Sequence, residues 1–102
     1  MTEQPTITRN EHARRYEIRV GDALAGVAEF SLSEGHILFT HTEILENFKG
    51  RGLASTLAAE ALADAVRRDL TIVPLCPYIA RYLSRHEVPG ATIAWPTEAR
   101  RI

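Results

Sequence analysis

A chain of 102 residues has room for one compact domain with one core and one site, because a domain of this size buries roughly two thirds of its unfolded surface. With 45% hydrophobic and 25% charged residues it is an ordinary globular sequence, which excludes the disordered, collagen-like and disulfide-stapled classes. Twelve Lys and Arg against thirteen Asp and Glu give a net charge of -1, so no basic field invites nucleic acid and any anion binding must be local.

Cys76 is the single cysteine, so neither an intramolecular disulfide nor a cysteine metal cluster is expected, and a reducing compartment follows. The polar start Met-Thr-Glu-Gln-Pro has no apolar signal-type run, and no stretch approaches the ~18 apolar residues that span a bilayer. The expectation is a cytoplasmic monomer or weak dimer with no metal, membrane or nucleic-acid partner.

In chain order, residues 1–6 and 97–102 are polar ends without periodicity and are expected to be loosely ordered around a single domain covering 1–102. Arg15 to Val20 alternates charged and apolar residues, predicting a strand with Tyr16, Ile18 and Val20 on its core face. Gly21-Asp22 predicts a turn, Leu24 to Phe30 a second strand with little bulk at Ala25, Gly26 and Ala28, and Ser33-Glu34-Gly35 the next turn. His36 to Ile44 predicts a third strand, so the first half reads as an antiparallel meander. From Leu53 to Arg68 the apolar period becomes helical, with many alanines suited to close packing. Leu70 to Cys76 predicts a buried strand in which Pro74 marks an edge, a bulge or a separation from the neighbouring strand. Pro77 suits the first turn of a second helix reaching about His86. Three strands, helix, strand and helix make an α+β domain.

The turn Lys49-Gly50-Arg51-Gly52-Leu53-Ala54 stands between a strand and an alanine-rich helix. Two glycines there let the backbone curl so that N–H groups converge on an anion, with the helix dipole adding to the attraction. The plain alternative is a tight loop in which the glycines only turn the chain. No Gly-Lys-Ser/Thr follows, as a nucleotide-triphosphate loop requires, and the third glycine of a dinucleotide fingerprint is missing.

This order of elements around that turn resembles the GNAT superfamily of acyl-CoA-dependent N-acetyltransferases, whose pyrophosphate signature is Gln/Arg-x-x-Gly-x-Gly/Ala. Gly52 and Ala54 fit it, and Lys49 is a conservative departure at its first position. The flanking His41-Thr42-Glu43-Ile44 and Pro74-Leu75-Cys76-Pro77 resemble the very small members of the superfamily, over about residues 7–90. The resemblance implies an antiparallel meander followed by helix, splayed parallel strand and second helix. It also implies acetyl-CoA as acyl donor, with its pyrophosphate on Lys49, Gly50, Arg51, Gly52, Leu53 and Ala54. Pantetheine would lie along the strand ending at Ile44, and Tyr78 near the coenzyme.

Acyl transfer to an amine needs a base, an oxyanion donor and an acid for the departing thiolate. His41 and Glu43, two residues apart on the strand face that Ile37 and Phe39 begin, are the candidate bases, with surface residues at a strand end as the alternative. Cys76, ending a strand before Pro77, is a candidate acyl acceptor or pocket wall, or else a small core residue. Tyr78 and Tyr82 share a helix face, and either could protonate the thiolate, although the superfamily's Asn-x-x-Ala-x-x-x-Tyr register is not reproduced. His12 and His86 are expected at the surface, and Trp95 is expected to pin the C-terminal segment onto the domain. The expected function is N-acyl transfer from acetyl-CoA to an unidentified amine. A non-catalytic acyl-CoA-binding or regulatory module is the competing class, and a domain binding phosphate on a partner is a third.

Overall fold

The computed structural model describes residues 4–96. Five strands, β1 (Pro5–Asn10), β2 (Arg15–Val20), β3 (Ala23–Ser33), β4 (His36–Ile44) and β5 (Thr71–Pro74), form one sheet in sequential order. The first four are antiparallel and β5 joins β4 in parallel. Helix α1 (Leu53–Arg67) makes the crossover from β4 to β5, and α2 (Pro77–Arg85) follows β5. The α+β class, the meander and the parallel last strand agree with the expectation. Most of the expected loose ends lie outside the described residues, but Pro5 and Thr6 open a strand. β1 escapes a periodicity argument because its only fully apolar side chain is Ile7, which pairs with Ile18, so partner β2 makes this edge segment a strand. Beyond α2, Ile93 adds a single parallel bridge to Ile72, and Trp95 packs, partly buried, against the core.

The core has a sheet half, with Tyr16, Ile18, Phe30, Ile37 and Phe39 buried, and a helical half in which α1 contributes Leu53, Leu57, Ala58, Ala61, Leu62 and Ala65. The alanines let α1 lie close to the sheet, and Ile72, Ile79 and Leu83 close the cluster from β5 and α2. Gly26 is required for the same closeness. A Cβ on it would stand 2.5 Å from Ile44 Cδ1 and 2.7 Å from the Glu43 carbonyl oxygen.

A polar network fastens the C-terminal part of α1 to the first strands. Tyr16 donates to Asp64 Oδ2 at 2.7 Å, Arg68 Nε donates to the same oxygen at 2.7 Å, and Arg9 Nη1 donates to the Tyr16 hydroxyl at 2.6 Å. The Arg9 guanidinium also lies 4.6 Å from the centre of the Phe30 ring. Burial, then the bond to Asp64, push the Tyr16 phenol well above its usual range. For Asp64 burial acts to raise the carboxyl, but hydrogen bonds from Tyr16 and Arg68 and the nearby arginine charges outweigh it and hold the group below its ordinary value.

β4 carries one irregularity that sets which of its side chains face the core. Phe39 pairs with Phe30 and His41 with Glu29, so Thr40 and His41 together oppose one residue of β3, which is a β-bulge. The side-chain alternation changes phase there. Ile37 and Phe39 face the core, and beyond the bulge Thr42 and Ile44 take that face, paired with the core positions Ala28 and Gly26.

These contacts set up three stability experiments. Tyr16→Phe removes the hydroxyl that joins Arg9 to Asp64 and is expected to cost about 1–2 kcal/mol in denaturant unfolding. Because the Asp64 carboxyl sits lower when folded than its unfolded value of about 3.9, its charge stabilises fully above that pH and the benefit fades as pH falls through the folded value. An Asp64→Asn variant is therefore expected to melt below the parent at neutral pH with the gap closing in acid, and a gap independent of pH would refute the assignment. Gly26→Ala is expected to cost about 1–3 kcal/mol by overpacking, partly recovered in Gly26→Ala/Ile44→Val, which removes Cδ1 but leaves the Glu43 carbonyl in place.

Candidate functional site

β4 and β5 run as a ladder only from His36 and Thr71 to Phe39 and Pro74. The amide of Leu75 makes the last rung, donating to the Phe39 carbonyl at 3.0 Å, and the next amide, of Cys76, donates to that same carbonyl at 2.8 Å instead of advancing along β4. Pairing therefore ends at Phe39, and β4 continues for five residues to Ile44 without β5 beside it. Pro74 stands where the strands separate, one of the positions expected for it.

The glycine turn lies past the free end of β4. A 3-10 turn, Glu46–Phe48, brings the chain around, and Gly50 and Gly52 adopt left-handed backbone at φ 84° and 75°. Gly52 is the N-cap of α1 and, having no side chain, makes no cap hydrogen bond. The first amides of α1 thus carry the positive end of the helix dipole without a side-chain acceptor from the cap residue. A cavity of about 260 Å³ opens here, lined by Ile44, Phe48, Lys49, Gly50, Gly52, Leu53, Ala54, Ser55 and Tyr78.

The structure thus gathers around one cavity seven of the residues picked out for coenzyme binding, Ile44, Lys49, Gly50, Gly52, Leu53, Ala54 and Tyr78. Arg51 stands outside the lining, exposed, with its guanidinium 5.3 Å from the centre of the Phe48 ring. Sequence reasoning missed Phe48 and Ser55. Phe48 could have been found as the aromatic next to the basic turn, and Ser55 as part of the first helical turn. Lys49 Nζ lies 3.3 Å from Glu46 Oε1, both exposed. Burial, then the neighbouring Tyr82, push the Tyr78 phenol upward against opposing effects of Ser55 and Arg81.

Cys76 is the N-cap of α2, is only 4% exposed, and donates through Sγ to Thr42 Oγ1 at 3.3 Å. His41 and Glu43 are not on that side. Expected to prolong the face of Ile37 and Phe39, they are turned by the bulge onto the opposite face of the sheet, where His41 Nε2 and Glu43 Oε1 pair at 3.2 Å, both about half exposed. Thr42, between them, is the β4 residue that meets Cys76, and strict alternation gave no warning of it. Tyr82 is half-buried on α2, outside the cavity lining, with its ring stacked on His86 at 4.1 Å between centres.

A family model described as GCN5-related N-acetyl-transferase matches residues 15–90. Proteins named NATD1 from Xenopus tropicalis, Mus musculus and Homo sapiens are each 39% identical over 49 residues, which is 48% of this chain and 45%, 44% and 43% of those proteins. The similarity thus spans a little under half the length of these curated relatives. Since the family match begins with β2 and runs past the end of α2, it takes in the bulge, the splay and the cavity together, and the chain belongs to the GCN5-related N-acetyltransferases.

Proposed function

We propose that the protein is an acyl-CoA-dependent N-acyltransferase that moves acetyl from acetyl-CoA to an amine. The observation that carries this is the continuity of two openings: the cavity at the uncapped start of α1 shares Ile44 with the free end of β4, where the sheet has parted. The first suits a pyrophosphate, through convergent backbone N–H groups, the dipole and Lys49. The second suits an extended pantetheine arm, whose amides can pair with the strand backbone that β5 has left free. Arg51, held over Phe48, is available to the outer phosphate.

A gap in a sheet is open to both faces, which gives the divided side chains separate tasks. On the helix side, Cys76 and Thr42 border the thioester. On the other, His41 and Glu43 stand where an amine would arrive. The amine nitrogen attacks the carbonyl carbon, and the C–N bond forms as its proton passes to His41, which Glu43 orients. The C–S bond then breaks, and the thiolate takes a proton. Tyr78, against the first turn of α1 and with its phenol held protonated, suits a hydrogen bond to the coenzyme. Tyr82 is the remaining candidate for protonating the thiolate. The hydrogen-bond partner of Cys76 is a hydroxyl and not a base, which supports direct transfer over an acyl-cysteine intermediate.

Calorimetry with acetyl-CoA and desulfo-CoA tests the coenzyme. Both should bind below millimolar, and Gly52→Ala should weaken both about tenfold, because a residue with Cβ pays ~1–2 kcal/mol at this left-handed position. Affinities of millimolar or worse for both would sink the coenzyme assignment. Catalysis is read as free-thiol release with a panel of amines. Glu43→Gln should lower it about 100-fold or more, and coenzyme binding without turnover on any amine would instead favour the regulatory module. Cys76→Ala should retain turnover under direct transfer, whereas loss of turnover together with loss of incorporated labelled acetyl would establish the covalent route.

A further inference from the structure

We infer that Thr42 and Cys76 act together as a stop that limits the acyl chain to acetyl. The inference rests on the coenzyme assignment above and adds a specificity role for a pair of side chains. Three features of the fold converge on it. The end of the ladder holds Cys76 close to β4, because its amide and that of Leu75 share the Phe39 carbonyl. The bulge turns Thr42 to the same side, opposite the buried Ala28. The two side chains then meet across the narrow end of the splay, with Sγ and Oγ1 3.3 Å apart.

An acyl chain entering from the cavity passes Ile44 and, about 6–7 Å further along β4, reaches this contact. Phe39 and Ile79 in the core next to it are fully buried, so a longer chain must either part Thr42 from Cys76 or turn aside. Cys76 has little freedom to yield, being fixed by its own amide at 2.8 Å from Phe39 O and by its carbonyl, which accepts the Ala80 amide at 3.0 Å as the cap of α2. A pocket closed by such a pair should discriminate by about 10- to 200-fold per added methylene.

The test is calorimetric and needs no acceptor: desulfo-CoA, acetyl-CoA, propionyl-CoA and butyryl-CoA are titrated into the parent protein, Thr42→Ala, Cys76→Ala and Thr42→Ser. The parent should bind acetyl-CoA at least about tenfold tighter than propionyl-CoA and about 100-fold tighter than butyryl-CoA. Thr42→Ala and Cys76→Ala should each bring those ratios near one, while Thr42→Ser, which keeps the hydroxyl, should stay nearer the parent. Affinity for desulfo-CoA, which has no acyl group, should be similar in all four and certifies that each variant is folded at the coenzyme end. Normal desulfo-CoA binding with the same acyl ratios in parent and variants overturns the stop and leaves the coenzyme assignment standing. No binding of any coenzyme by the parent removes both.

Discussion

A parallel pair of strands keeps its ladder only while alternate residues of one strand go on meeting fresh carbonyls and amides of the other. β5 leaves that pattern after Leu75, whose amide makes the last rung to the Phe39 carbonyl, because the next amide, of Cys76, folds onto the same carbonyl. On the other side of the same rung β4 acquires its extra residue opposite Glu29. The two events are adjacent, and the parting of the strands, the rotation of Thr42 toward Cys76 and the turning of His41 and Glu43 to the far face all follow from them. Backbone hydrogen bonding, more than any side-chain interaction, decides where this domain has an opening and which residues border it.

Around that opening the packing divides along α1. Near its C-terminal end the helix is tied down by Asp64, to which Tyr16 and Arg68 donate, with Arg9 sandwiched between the tyrosine hydroxyl and the Phe30 ring. Its N-terminal end begins at a glycine without a cap and borders the cavity. Buried polar groups are costly unless satisfied, and here they are satisfied far from the site, leaving the first amides of the helix available to a ligand. Close approach at Gly26 contributes in a different way: by letting Ile44 lie down over the glycine, it gives the cavity its apolar side wall.

Local pattern carried most of the fold. β2 and β4 begin and end where alternation and turn residues indicate, α1 starts at the glycine turn, and Pro77 opens α2. β1 was hidden because an edge strand with one apolar side chain has almost no pattern of its own and owes its conformation to pairing with β2. Around the cavity, the turn from Lys49 to Ala54 could be placed at the start of α1 because glycines supply the left-handed backbone that such a junction takes. The faces of β4 beyond Phe39 were not. A bulge adds a residue without changing composition, so a reader counting in twos puts His41 and Glu43 beside the core and Thr42 outside, the reverse of their positions. Phe48 enters through a 3-10 turn whose geometry is likewise absent from any periodicity.

The gap between β4 and β5 has a further consequence for the order of events. A pocket with one mouth forces two reactants to queue, or one product to leave before the next molecule enters. Under the direct transfer proposed above, a gap approached from both faces of the sheet would give each reactant its own entry, so donor and acceptor would be present together and neither would block the exit of the other. The kinetic imprint of such an arrangement is a ternary complex, seen as intersecting rather than parallel lines when initial rates are plotted reciprocally at several acceptor concentrations.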